Sequence, residues 1–350
     1  MVYLNNAATT LIKPETVKTA APASEEKVKE SMLKLLGMKN KGEVVLTPGG
    51  AAAVETALKA LIGSGDHVIA TVMEHDSTCQ VLEELASKRG VQVSWVGINS
   101  YGALKYDEIE SMVKDNTSAI ICIHGCAVTG NINDLEKITT IARRHNLMVI
   151  SDGCQTVGAT EINLENMGVD VFCFTAHKKL MGPYGVGGIC VKNALADKLV
   201  KGMEEASEKP EKIDEEKLGQ FAAALDFVLE KSVYQVAMFP HRHAKRFFEA
   251  VKSMDAIEVY GNFGTTSRVP IVSITVKGFT PQQVKEHMRK AGIVVETGLH
   301  HSQKMHEALG TSEEGLVRFS FGYFNTRRDV NDAVWMLMDL VGVDDLYLLS

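Results

Sequence analysis

The sequence has no Cys-x-x-Cys pair, no surplus of basic side chains, and no apolar run near the ~20 residues of a membrane span. Each absence removes a class. With 37 Lys and Arg against 44 Asp and Glu, the net charge of −7 offers no basic face, which argues against nucleic acid as a partner. The missing apolar run, and an N-terminus without a basic-then-apolar signal, read as a cytosolic chain with no membrane partner. Six cysteines (Cys79, Cys122, Cys126, Cys154, Cys173 and Cys190) lie mostly in or beside apolar strands, the setting of reduced, buried thiols rather than disulfides or zinc ligands. The histidine groups His241-Arg242-His243 and His300-His301 with His306 lack companion ligands at metal spacing, so no metal site is expected. There is no internal repeat and no low-complexity segment.

What is present is a long alternation of short apolar strands and helical patterns from about Glu43 onward. Strands are expected at Val44–Leu46, His67–Val72, Val91–Val96, Ala119–Ile123, Leu147–Ser151, Val169–Phe174 and Gly188–Val191. Helices are expected at Ala52–Ile62, Thr78–Lys88, Tyr106–Val113 and Leu135–His145. Strands this apolar, separated by helices, imply a mostly parallel seven-stranded sheet covered on both faces, an α/β fold. Glu204 to Lys217 reads as a charged surface segment around Pro210, leading into a helix at Leu218–Leu229. A further helix is expected after Pro240. The pattern then changes to strand Val269–Val276, helix Pro281–Ala291, strands Ile293–Glu296 and Leu316–Ser320, and helix Arg328–Leu340. This implies a smaller α+β unit. The expected division is an N-terminal segment 1–14 near the active site, a large unit 15–238 and a small unit 239–350.

The run from Thr175 to Gly188 carries the most chemistry. It sets Lys178 beside His177, at the end of an apolar strand and before a glycine-rich turn. Two lysines in a loop are by themselves no more than a solvated turn. Upstream, however, Asp152 ends another apolar strand, and in such sheets ligands sit beyond the carboxyl ends of the strands. A lysine at one strand end and an aspartate at the next is what pyridoxal phosphate requires: an amine to condense with the aldehyde, and a carboxylate to keep the pyridine nitrogen protonated. Gly49, Gly50 and Ala51 lie between a strand and a helix, where backbone N–H groups can cradle a phosphate.

Six motifs in order extend this reading. They are Tyr3-Leu4-Asn5-Asn6-Ala7-Ala8-Thr9-Thr10, Glu74-His75-Asp76-Ser77, Val128-Thr129-Gly130, Asp152-Gly153-Cys154-Gln155, His177-Lys178 with its glycine turn, and the Arg318–Thr326 flank. With them the chain resembles the fold-type I pyridoxal-phosphate enzymes of the class V aminotransferase group, and within it the cysteine desulfurase and selenocysteine lyase branch. The resemblance implies that Lys178 forms the Schiff base and moves the Cα proton. It implies that His75 stacks on the pyridine ring, although a histidine there also suits a helix cap. Asp152 would pair with the ring nitrogen, Gln155 with the 3′-oxygen and His177 with a phosphate oxygen, with Thr175 as a further cofactor contact. Arg318 would hold the substrate carboxylate, with Asn6 and His300 as further substrate contacts. A small amino acid as substrate, a homodimer and a protein that accepts sulfur or selenium are the implied partners.

Several departures bear on the chemistry. The branch carries a catalytic cysteine where this chain has His301, and imidazole cannot form a persulfide. Glu296 stands where relatives have an arginine, and Ala127 where they have an asparagine. Hydroxyl side chains are missing at Gly50 and Ala51, leaving Thr47 as the nearest. Cys154 replaces a small apolar residue and reads as a space filler, with a nucleophilic role for it or Cys126 ranked lower. The leading expectation is C–S or C–Se cleavage by β-elimination with His301 as general acid. An aminotransferase is the alternative within the class, and a degenerate paralogue acting as a scaffold is the alternative outside it.

Overall fold

In the computed structural model, which describes residues 1–11, 13–206, 212–264 and 267–343, the strands run in order along the chain. They are β1 (Val2–Tyr3), β2 (Gly42–Thr47), β3 (His67–Thr71), β4 (Gln92–Val96), β5 (Thr117–Ile123), β6 (Met148–Asp152) and β7 (Val171–Thr175). There follow β8 (Gly187–Lys192), β9 (Ile257–Tyr260), β10 (Ile271–Val276), β11 (Ile293–Val294), β12 (Glu296–Gly298) and β13 (Leu316–Ser320). The large sheet has seven strands in the order β2-β8-β7-β6-β5-β3-β4. The pairs β4–β3, β3–β5, β5–β6 and β6–β7 are parallel, and only β8 runs against its neighbours. This is the mostly parallel seven-stranded α/β sheet that the apolar runs predict.

Both faces of the sheet are buried, and alternate residues serve opposite cores. On β7, Val171 and Cys173 pack with the helices Gly50–Leu61 and Asn193–Glu205 on one face. Phe172 and Phe174 pack on the other face with Leu218, Phe221 and Leu225 of the helix Glu215–Lys231. The period of two along the strand thus becomes two layers of helix around one sheet. That leaves the strand ends as the open edge, where polar residues converge.

The second sheet is antiparallel, in the order β12-β13-β10-β9. Its core centres on Phe247, Phe319 and Phe321, whose ring centroids lie 4.5 and 5.7 Å from that of Phe247. The N-terminus joins this unit: β1 pairs in parallel with β11, and Asn5 bridges to Ser320.

Three expectations are corrected. The strand expected over Ile293–Glu296 is two short strands, because the chain leaves β1 after Val294 and joins β13 from Glu296. The helix expected after Pro240 begins at Val233 and runs through the proline to Val251. Proline in a helix interior costs about 3 kcal/mol, and here the burial of Val236, Ala237, His243, Ala244 and Phe247 along the same helix offsets it. The helix expected from Leu218 starts at Glu215, capped by Asp214, whose side chain accepts from Glu216 N–H at 2.9 Å. Phe239, where a division was expected, lies inside the proline-bearing helix, with Val236 packed in the large-sheet core and Phe247 in the small-sheet core. Residues 207–211 of the expected charged segment lie outside the described residues. Among the described residues, no helix is long and apolar enough to cross a membrane.

Candidate active site

A cleft of about 700 Å³ lies at the carboxyl ends of the parallel strands, closed on its far side by β12, β13 and the turn that follows β12. Asp152 ends β6. Its Oδ1 accepts from Cys154 N–H at 2.8 Å, and its carbonyl accepts from His124 N–H at 2.8 Å, so the turn itself aims the carboxylate. Lys178 lines the same cleft. Its neighbour Lys179 does not: it is buried, its Nζ donates to Phe321 O at 3.1 Å, and burial lowers its pKa to about 7. The adjacent lysines therefore diverge, one into the cleft and one into the interior. Charges on Asp152 and Lys178 both act on His75 and on Cys154, so the two groups flank one volume.

His75 combines the two roles the sequence left open. It is the N-cap of the helix Asp76–Arg89, with Nδ1 accepting from Ser77 N–H at 3.1 Å, and its ring also lines the cleft. Burial, then the charge of Lys178, lowers its pKa to about 4, so the ring is a neutral, flat surface at pH 7. His177 is paired through Nδ1 with Thr175 Oγ1 at 2.9 Å, and burial lowers its pKa to about 4 as well. Beside them the helix Gly50–Leu61 begins with no side-chain cap. Gly49 holds φ +150°, a conformation that favours glycine, and the first helical bond is Ala53 N–H to Gly49 O at 3.0 Å. Gly50 and Ala51, whose N–H groups precede that bond and lack an intrahelical acceptor, line the cleft. Thr47 does not reach it, since its hydroxyl donates to Gly49 O at 2.8 Å. The glycine-rich turn has a steric purpose: a Cβ on Gly187 would stand 2.5 Å from the Gly49 carbonyl carbon.

The other end of the cleft is built by the small sheet. Arg318 on β13 is 4% exposed, donates from Nη1 to Ala127 O at 3.0 Å, and leaves Nε without a partner. Burial lowers its pKa to about 10, which still leaves it charged at pH 7. Glu296 faces it in register across β12. Lys285 donates to Glu296 Oε1 at 2.9 Å and Asn5 donates to Oε2 at 3.0 Å, so this carboxylate is neutralised within the fold. Burial raises the Glu296 pKa, but those donors outweigh it and the net shift is downward. His300 is 7% exposed and neither ring nitrogen has a partner; burial, with Arg318 beside it, holds its pKa well below the ordinary value. His301 is exposed and stacks on His75, with centroids 5.4 Å apart. His300 and His301 are both left-handed (φ 52° and 54°), a backbone strain that clusters at functional sites.

Asn6, expected at the substrate, lies outside the cleft lining. Its amide donates to Ser320 O at 3.0 Å and to Asn325 Oδ1 at 3.1 Å, tying the N-terminal segment to β13. Asp76, in the Glu74-His75-Asp76-Ser77 motif, has a role that sequence reasoning missed. Asp76 N–H donates to His301 O, and Gln303 N–H donates to Asp76 Oδ1, each at 2.8 Å, which pins the histidine turn to the large unit. Sequence reasoning also missed Glu74, a fully buried carboxyl that accepts from Thr71 Oγ1 and Ile123 N–H, with burial raising its pKa to about 7. The only signal for either was position beside His75.

The cleft fits pyridoxal phosphate: an uncapped helix start, an oriented carboxylate and a lysine surround it, and Gln155, whose Nε2 donates to Ala7 O at 3.0 Å, leaves its buried Oε1 unpartnered. Fold and site together define a pyridoxal-phosphate-dependent enzyme. The chain belongs to the Aminotransferase class-V family, matched over residues 15–332. It is similar to the probable cysteine desulfurase of Halalkalibacterium halodurans, 25% identical over 342 aligned residues that cover 90% of this chain and 82% of that one. The cysteine desulfurase IscS of Dictyoglomus turgidum is 23% identical, covering 97% of this chain and 94% of its own. Among solved structures, the cysteine desulfurase of Thermococcus onnurineus NA1 has the same fold with a TM-score of 0.87, at 21% identity over 97% of this chain and 94% of that one. The cysteine desulfurase CsdA of Escherichia coli follows at 0.84 and 19%, with the same coverage of both chains.

Proposed function

We propose that this enzyme cleaves the C–S or C–Se bond of a small amino acid by β-elimination and releases the sulfur or selenium species to solution. One observation carries the reading: the exposed residue at the tip of the β12 turn is His301, while all six cysteines are buried. Cys154, the cysteine that lines the cleft, has its pKa raised well above the ordinary value by burial, so its thiol stays protonated. Cys126 does not line the cleft.

When bound, pyridoxal phosphate supplies the electron sink that stabilises a carbanion at the substrate Cα. Lys178 would hold it through its amine, and that amine would move the proton at the substrate Cα. Asp152 would hold the ring nitrogen protonated, and His75, neutral at pH 7, would offer a flat face to the ring. Arg318 receives the substrate carboxylate on its unpartnered edge, and the unpartnered ring of His300 adds a neutral donor beside it. His301 then gives a proton to the departing sulfur or selenium. The family resemblance further supports a homodimer, to be checked by light scattering.

The test is to load the protein with pyridoxal phosphate and screen cysteine, selenocysteine and alanine for changes in its visible absorbance and for products. Sulfide or selenide formed together with keto acid supports elimination. Alanine as the product supports desulfuration instead, and amino transfer to a keto acid supports the aminotransferase alternative. A visible band that no amino acid perturbs supports the scaffold.

A further inference from the structure

Gly50 opens a helix and does not need to be glycine for its backbone: it is a helical residue outside the left-handed region. Glycine in a helix is ordinarily a cost, so its presence calls for a steric cause. The cause lies on another strand end. A Cβ placed on Gly50 would stand 2.3 Å from Cys154 Sγ, a distance real Cβ atoms do not show. With the sulfur removed, the nearest neighbour would be Thr175 Cβ at 3.2 Å, which needs a shift of only a few tenths of an ångström. Gly50 and Cys154 both line the cleft, Gly50 as the first residue of the uncapped helix Gly50–Leu61.

We infer that Cys154 is a positioning residue for the cofactor phosphate: its sulfur fills the place over Gly50 and confines the phosphate seat there to backbone N–H groups. The missing hydroxyl at position 50 and the unusual cysteine at 154 are then one steric unit, not two separate departures. The consequence is a seat that discriminates less between pyridoxal phosphate and unphosphorylated pyridoxal than it would with a hydroxyl at position 50, because that side adds no side-chain donor to the dianion. The inference rests on the reading that this cleft takes pyridoxal phosphate.

The test introduces Gly50→Ser into the wild-type protein and into Cys154→Ala. Affinities for pyridoxal phosphate and for pyridoxal are read from visible absorbance, and thermal unfolding is read without cofactor. In the wild-type background the serine should weaken pyridoxal phosphate binding about tenfold or more through overpacking, and should lower the melting temperature. In the Cys154→Ala background the same serine should tighten binding. The affinity ratio of phosphorylated to unphosphorylated cofactor should rise about tenfold, as for a new hydrogen bond to a charged group. Sign reversal between the backgrounds supports the inference; a serine that weakens both equally, or changes neither, overturns it. If Gly50→Ser alone does not fold, recovery of folding in the double variant supports the steric unit, and failure of both overturns it. A wild-type protein that binds no pyridoxal phosphate would reject the cofactor reading, and would leave the melting-temperature comparison to decide the steric claim separately.

Discussion

At the cofactor end of the cleft, the side chains near Asp152 and Lys178 are largely held before any ligand arrives: Asp152 by Cys154 N–H, His75 by Ser77, and His177 by Thr175. At the substrate end the opposite holds. Arg318 keeps Nε unpartnered, His300 keeps both ring nitrogens unpartnered, and two consecutive residues sit in the left-handed region. Strand ends of a two-sided sheet supply the first arrangement, because main-chain turns there orient whatever side chain they carry. The second comes from an antiparallel sheet and a loop, where groups buried without partners cost about 1–3 kcal/mol each until a ligand completes them. The difference teaches that one end is set by the fold, while the other, on the proposed reading, would be finished by the substrate.

Changes at each end should therefore fail in different ways. The largest effect is expected from Lys178→Ala, which should abolish the visible band and lower turnover on the order of 10³-fold or more. His301→Ala should leave the band intact and lower kcat by about 10²-fold, with little change in KM, because a leaving-group acid acts in the transition state. Arg318→Ala should also keep the band while kcat/KM falls roughly 30-fold, mostly through KM, and Arg318→Lys should recover only part of that. Loss of the band in either of these two variants would break the comparison, since it would make the ends interdependent.

The smallest effect sharpens it from beneath the cofactor end. Glu74 staples β3 to β5 and holds its proton in the fold, because burial raises its pKa from the ordinary carboxylate range to about 7. A carboxyl with a raised folded pKa contributes stability that is whole below its unfolded pKa and is lost as pH climbs through about 7. Glu74→Gln keeps an acceptor for Thr71 and Ile123 and has no proton to lose. Its melting temperature relative to wild type should therefore rise by about 2–4 °C between about pH 5 and about pH 8. A constant difference across that range would count against a proton held in the fold. His124, buried neutral with its pKa lowered to about 4, makes both proteins less stable on acidification and cancels from the difference.

The large sheet was legible in the sequence because each of its strands is a compact apolar run closed by a turn, a signal that needs no knowledge of the rest of the chain. Lys178 and Asp152 were legible for the same reason, as polar residues at the ends of such runs. What escaped depends on partners far away in sequence. The pairing of β1 with β11 involves two residues on each side, too few to leave a pattern. Pro240 marks a helix end by every local rule, and only burial on two cores carries the helix through it. Asn6 sits inside a recognisable motif, yet its amide serves Ser320 and Asn325, more than three hundred positions on. The contact between Cys154 and Gly50 could not be read from either residue alone, since each looks like an independent oddity until the strand ends are brought together.

The rod Val233–Val251 contributes side chains to the hydrophobic interiors of both lobes. Neither lobe keeps a complete interior without it, so calorimetry should record a single melting event rather than two.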